Sequence, residues 1–221
     1  MHTDSIYENY IHTRKLDLNL IKLKNSSNKM YDFIGNTFNK NGRDHIIRDT
    51  FTENRKDFTN ETDENNIIEE IFARYNLFLY PFPEFYELYF KIREMFYDKL
   101  EVENHEESYY IQSWLNFYWK GDFIDWHHHW PSYVNSWHGY YCIDVEPSKT
   151  SYRLEHTKKI IDVKNENNLL VLSKSLNDKH RTWPWQHENP RITIAFDIVP
   201  GPVVLNFEGE NKMGINHWIP I

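Results

Sequence analysis

The chain has 221 residues, with 33 Asp and Glu against 25 Lys and Arg for a formal charge of −8. Its 40% hydrophobic content suits one globular domain with a sizeable core, and the acidic balance argues against a phosphate-binding surface, so no nucleic acid is expected as partner. Cys142 is the single cysteine, which excludes an intramolecular disulfide; with no apolar run of signal-peptide or membrane-span length, the expected setting is cytoplasmic, with no membrane partner.

Residues 1 to about 65 mix short apolar patches such as Leu18 to Leu23 with Asn, Lys, Asp and Thr and show no clear period. Glu53 to Asn66 is rich in polar residues and reads as a solvated loop or the start of a helix. Ile67 to Tyr75 has a helical pattern. Pro83 then opens a stronger one, in which Phe85, Leu88, Tyr89, Ile92, Met95 and Phe96 recur at helical spacing and predict a helix lying across a sheet.

After Glu107 the pattern changes to strands. Tyr109 to Trp119 is β-branched and aromatic and ends at Gly121; similar runs occupy Tyr140 to Val145, Leu169 to Leu172, Arg191 to Val199 and Val203 to Phe207. Short strands separated by turn signals predict a mainly β fold with flanking helices, a double-stranded β-helix or cupin-like jelly-roll barrel. The expected organisation is one domain over 1–221, with a variable helical and loop part at 1–107 and the jelly-roll core at 108–221.

The segment from Trp114 to Trp130, WLNFYWKGDFIDWHHHW, is where chemistry concentrates. In an extended chain alternate side chains share a face, so His127 and His129 point one way and His128 the other. Two imidazoles so placed can grip one metal ion, and imidazole suits Fe, Zn, Cu or Ni. A surface histidine run packed on tryptophan is the plainer alternative. His180, after the strand at Leu169 to Leu172 and a polar turn, is the candidate third ligand. On the strand that follows, Arg191, Thr193 and Ala195 share one face, and a guanidinium with a hydroxyl two residues on is suited to a carboxylate. The alternative for Arg191 is a surface salt bridge. Trp126, Trp130 and Trp137 are candidates for a pocket wall or for ordinary packing. His138 could stand behind the metal ligands but reads rather as a satisfied core histidine, His187 lies close enough to Arg191 in sequence to reach its ligand but has the neighbours of a loop residue, and His105, His156 and His217 belong to no constellation.

Taken together, WLNFYWKGDF, HHH, WHGYYCID, the distal His180 and PRITIAFDI resemble the iron(II)/2-oxoglutarate-dependent oxygenase superfamily, in its short bacterial and phage branch. The resemblance covers residues 109 to about 199. It implies a dioxygenase, expected to be a hydroxylase, that holds Fe(II) with His127, His129 and His180 and takes 2-oxoglutarate as co-substrate. The distal carboxylate of 2-oxoglutarate would pair with Arg191, Thr193 would add a hydrogen bond, and Tyr118 and Asn116 match positions that line the same pocket. The partners implied are dioxygen and a small-molecule substrate or side chain of unspecified identity. One departure is plain: the family places a carboxylate two residues after the first histidine, and here that place holds His129, with Asp125 as a fallback on the same strand face. A cupin-like three-histidine metalloenzyme that does not use 2-oxoglutarate, and a non-catalytic binding protein with a degenerate site, are the competing readings.

Overall fold

The computed structural model describes residues 4–7, 11–38, 76–100, 107–205 and 218–221. In chain order the elements are β1 (Asp4–Tyr7), β2 (Ile11–Lys15), α1 (Leu20–Phe38), α2 (Pro83–Lys99), β3 (Tyr109–Tyr118), β4 (Trp137–Asp144), β5 (Ser148–Arg153), β6 (Ile160–Asn165), β7 (Leu169–Lys174), β8 (Lys179–Thr182), β9 (Arg191–Pro200), α3 (Gly201–Leu205) and β10 (Ile219–Pro220). The large sheet has the order β1-β2-β7-β4-β9-β3-β10, and the small one β6-β5-β8. Every strand pair is antiparallel. From β4 onward the chain passes back and forth between the two sheets, the winding of a jelly roll. The expected mainly β fold with flanking helices is therefore present; among the described residues no ladder joins one sheet to the other.

Strand alternation divides the large sheet into two faces with different neighbours. On β9, Ile192, Ile194, Phe196 and Ile198 face α1 and α2 and share one core with Leu23, Phe85, Leu88, Ile92, Met95 and Phe96. Ala195, with Val171, Tyr140 and Cys142, faces the other way and packs on Tyr152, Ile161 and Val163 of the small sheet. β9 is buried on both sides, yet its inner face carries Arg191, Thr193 and Asp197, so PRITIAFDI reads as an alternation in which Ile192, Ile194, Phe196 and Ile198 mark the helix-packed face.

The predicted helix at Pro83 forms as α2, with Pro83 in the first turn where its missing N–H costs nothing. An ion pair ties it to the sheet: Arg14 of β2, buried, lies 2.8 Å from Asp98 and 3.7 Å from Glu94. α1 and β2 lie in the stretch without a readable period. The inward face of α1 includes Ser26 and Ser27 beside Leu23 and Met30, so small hydroxyl residues dilute its apolar stripe; Asn19 caps its start by accepting the Lys22 N–H at 3.0 Å. The two strands before it show that the region expected as helix and loop also extends the large sheet. Glu53 to Asn66 and Ile67 to Tyr75 lie outside the described residues.

One predicted strand is corrected. Residues 203–205 of the run at Val203 to Phe207 belong to the short helix α3, because Pro200 ends β9 and Pro202 cannot donate to a ladder yet fits a helical first turn; residues 206 and 207 lie outside the described residues. Two strands carry weak signals, β5 (SKTSYR) and β8 (KHRT) being too polar to stand out, whereas β6 alternates strictly between exposed and buried positions.

Gly139 marks a close approach within the helix-facing layer. A Cβ there would run into the Val171 carbonyl oxygen and the Phe196 ring, the latter lying across the glycine from the next strand. Gly139→Ala should therefore cost about 1–3 kcal/mol, the range for overpacking a close-packed core. Denaturant unfolding should show a lowered midpoint with an unchanged slope, and a midpoint equal to that of the parent chain would contradict this packing.

Candidate metal centre

The chain reaches the histidines through a turn that needs a glycine. Gly121, at φ 92°, follows β3, and Asp122 closes the turn by donating its N–H to the Trp119 carbonyl at 2.8 Å and accepting the Trp119 N–H at 2.7 Å. The chain then runs antiparallel to β8. Thr182 donates its N–H to Ile124 at 3.0 Å, and His127 and His180 exchange both backbone hydrogen bonds, at 3.1 and 2.9 Å. Residues paired in this way project to the same face.

The pairing brings the imidazoles together. Ring centroids lie 4.2 Å apart for His127 and His180, 5.5 Å for His127 and His129, and 5.1 Å for His129 and His180. One nitrogen from each lies within 4.8 Å of the other two, so the three can hold a metal ion. His128 is exposed, as alternation requires. Asp125 is turned away: its carboxylate accepts the Trp126 N–H at 2.8 Å. Its carbonyl lies 2.8 Å from His127 Nδ1. A carbonyl can only accept, so Nδ1 carries the proton and Nε2 is the nitrogen that keeps a lone pair, the form in which imidazole binds a metal.

Two further groups belong to this cluster and were not assigned to it from the sequence. His138, buried on the inner face of β4, stacks on both His129 and His180 with centroids 4.8 Å away in each case. Its Nδ1 lies 3.2 Å from Ser175 Oγ, but its Nε2 has no hydrogen-bond partner, so the expectation of a satisfied core histidine is corrected. The second is Asp197 of β9, directly opposite His138. Its Oδ1 lies 2.7 Å from His129 Nδ1 and its Oδ2 accepts the Trp130 indole N–H at 3.1 Å. Both were legible by parity: WHGYYCID puts His138 on the face of Tyr140 and Cys142, and the Arg191, Thr193, Ala195 series continues to Asp197. Burial, followed by the nearby imidazoles, pushes His180 and His138 well below the usual histidine range. Both rings are thereby kept neutral, the form in which imidazole binds metals.

Farther along the same inner face stands Arg191. The register pairs Tyr118 with Arg191 and Asn116 with Thr193 across β3, and Cys142 with Thr193 across β4, so these five side chains share the space between the sheets. Arg191 is 3% exposed. Its Nε donates to Ser148 Oγ at a long 3.4 Å, and its guanidinium carbon lies 5.2 Å from the centre of the Tyr118 ring. No carboxylate among the described residues comes within ion-pair distance of it. Nearby, Asn165 accepts the Tyr140 hydroxyl at 2.9 Å, while Asn116 Oδ1 and the Tyr152 hydroxyl are buried without a hydrogen-bond partner. Burial pushes the Cys142 thiol up to about 12, so it stays protonated and is no nucleophile.

The remaining predicted positions separate cleanly. Trp130 lies beside the cluster through Asp197, but Trp137 turns to the helix-packed core and is no wall of this space. Trp126 is flanked by the guanidinium groups of Arg153 and Arg181 at 5.1 and 4.6 Å. His187 is exposed and lies against Trp185, and His156 is exposed in a turn. His105 and His217 lie outside the described residues.

No family model and no curated protein matches the sequence. Solved structures similar to it include a prolyl hydroxylase in complex with a hypoxia inducible factor peptide fragment from Trichoplax adhaerens, at 11% identity and a TM-score of 0.41 over 53% of this chain and 56% of that one. An oxidoreductase of the 2OG-Fe(II) oxygenase family from Burkholderia pseudomallei is 7% identical, with a TM-score of 0.38 over 89% of this chain and 71% of that one. A Pseudomonas putida prolyl-4-hydroxylase is 14% identical, with a TM-score of 0.34 over 40% of this chain and 51% of that one. The matched region spans about half the length of the Trichoplax and Pseudomonas chains.

If the three imidazoles act as one site, His127→Ala and His180→Ala should each remove most of the metal that the purified chain retains after reconstitution, whereas His128→Ala, on the opposite face, should leave it unchanged. Metal analysis by mass spectrometry measures this. Full metal content in both His127→Ala and His180→Ala would place the ion elsewhere.

Proposed function

We propose that this chain is a non-haem oxygenase that uses Fe(II) and 2-oxoglutarate, and that it hydroxylates a small molecule or side chain. The observation that carries this reading is Arg191: a guanidinium 3% exposed, on the inner face shared with the histidine cluster, with no carboxylate partner among the described residues. A buried charge without a counter-charge is costly and calls for an anionic partner. A planar guanidinium matches a carboxylate with two parallel hydrogen bonds. The neutral imidazoles at the other end of the same face suit a divalent ion, so one interior surface offers a metal site and a carboxylate site together.

In this reading His127, His129 and His180 would hold Fe(II), and Arg191 would take the distal carboxylate of 2-oxoglutarate. Thr193, two residues on, would add a hydrogen bond, and Tyr118 and Asn116 would line the same space. When bound, Fe(II) and 2-oxoglutarate supply the activation of dioxygen for attack on a substrate C–H bond. The chain's own contribution is placement and dryness. Tyr140 and Cys142 border the carboxylate end, the Tyr152 ring lies 5.4 Å from that of His180, and all three remain protonated through burial, so they add no competing negative charge. The apolar contacts of Val171, Ala195 and Val163 close the space between the sheets against water.

The second reading, a three-histidine metalloenzyme that does not use 2-oxoglutarate, is favoured by His129, which stands where a carboxylate ligand is usual. The two readings separate on Arg191. Calorimetry with the metal-loaded chain should detect 2-oxoglutarate binding, and aerobic incubation with iron should form succinate even without a substrate. Loss of a buried carboxylate partner costs about 2–5 kcal/mol, so Arg191→Met should raise the 2-oxoglutarate requirement by more than about tenfold. Metal content should stay unchanged, and Thr193→Val should give a milder form of the same effect. Metal binding with neither 2-oxoglutarate binding nor succinate would favour the second reading.

A further inference from the structure

We infer that Asp197 is the charge-supplying positioning residue of the metal centre, acting through the ring of His129; this rests on the three histidines being the metal ligands. Asp197 is 8% exposed and lies between the sheets. Oδ2 is committed to the Trp130 indole N–H at 3.1 Å. Oδ1, 2.7 Å from His129 Nδ1, receives no well-aligned hydrogen bond, and no Lys or Arg among the described residues pairs with the carboxylate. A buried carboxylate with one oxygen fixed and the other against an imidazole has the ring as its one outlet for negative charge.

The ring is confined from other directions too. It stacks on His138 with the planes 5° apart and lies 6.1 Å from Trp114 at 23°. Those neighbours fix the plane of the imidazole, and Asp197 fixes which nitrogen carries the proton. Nδ1 against the carboxylate is the protonated atom, so Nε2 presents its lone pair. A carboxylate behind a ligating imidazole orients the ring and makes it a stronger donor. It also settles the charge. Three neutral imidazoles leave the full charge of a divalent ion, and Asp197 returns the assembly to the net charge of a set of two histidines and one carboxylate. The carboxylate missing at position 129 is thereby supplied one shell farther out, from β9.

The test is anaerobic cobalt(II) titration of the wild-type chain, Asp197→Asn and Asp197→Ala, followed by proton NMR of the cobalt-loaded forms. Asp197→Ala should bind cobalt(II) about 10–100-fold more weakly, the usual consequence of losing such a partner. Asp197→Asn, which keeps the shape and loses the charge, should fall between it and wild type, and it carries the test if the alanine variant does not fold. The paramagnetically shifted ring N–H of His129 should be slowly exchanging in wild type and lost or rapidly exchanging in Asp197→Ala, an effect that a purely structural role does not produce. Affinities within twofold of wild type, with the His129 signal intact, would overturn the role of Asp197 and leave the metal site standing. A wild-type chain that binds no cobalt(II) would overturn both.

Discussion

The two backbone hydrogen bonds between His127 and His180 set the geometry on which the rest of this site depends. They join the segment after Gly121 to β8, and because directly opposed residues of an antiparallel pair project to the same side, they place two imidazoles from distant parts of the sequence 4.2 Å apart. His129 follows by alternation alone. A slip of one residue in this pairing would turn His127 outward and bring His128 in, so the register is also the specification of the ligand set.

Behind the histidines the structure places charges where a solvent-free interior would not ordinarily hold them. β9 carries Arg191 near one end of its inner face and Asp197 near the other, both buried. They do not neutralise each other: Asp197 turns to His129 and Trp130, and Arg191 turns to Ser148 and Tyr118. Buried polar atoms without partners cluster in the same layer, among them His138 Nε2, Asn116 Oδ1 and the Tyr152 hydroxyl. Native interiors satisfy their polar groups, so a concentration of unsatisfied ones marks where a bound group completes the structure. The opposite face of the same strand, Ile192 to Ile198, is apolar throughout, packs on the helices and supplies the rigid backing, in a layer whose own unpartnered polar atoms include Trp137 Nε1 and Ser27 Oγ.

How far this was legible in the sequence follows from what each residue had to satisfy. Helix α2 stood out through its five buried apolar side chains at helical spacing, and β9 through the strict alternation of Ile192, Ile194, Phe196 and Ile198, because each packs one apolar face against the same core. β5 and β8 did not, because SKTSYR and KHRT combine an inner face of mixed polarity with an outer face of Lys and Arg. α1 was hidden by the serines on its buried side. At the site, parity along an extended chain was enough to pair His127 with His129 and to group Arg191 with Thr193. The same parity extended by one more step reaches Asp197, and applied to WHGYYCID it reaches His138. What sequence periodicity lacks is the third dimension. That Asp197 lies against His129, and that Trp137 faces the helices while His138 faces the histidines, depends on the order β4-β9-β3 and on which face each core occupies.

The central claim is that one interior surface holds a metal at His127, His129 and His180 and a carboxylate at Arg191. The most direct measurement is a crystal structure of the chain grown without oxygen in the presence of iron(II) and 2-oxoglutarate. The account predicts the ion bound to nitrogens of the three histidines and the distal carboxylate of 2-oxoglutarate paired with the Arg191 guanidinium. An ion bound away from these histidines, or 2-oxoglutarate held at a place that Arg191 does not touch, would contradict it.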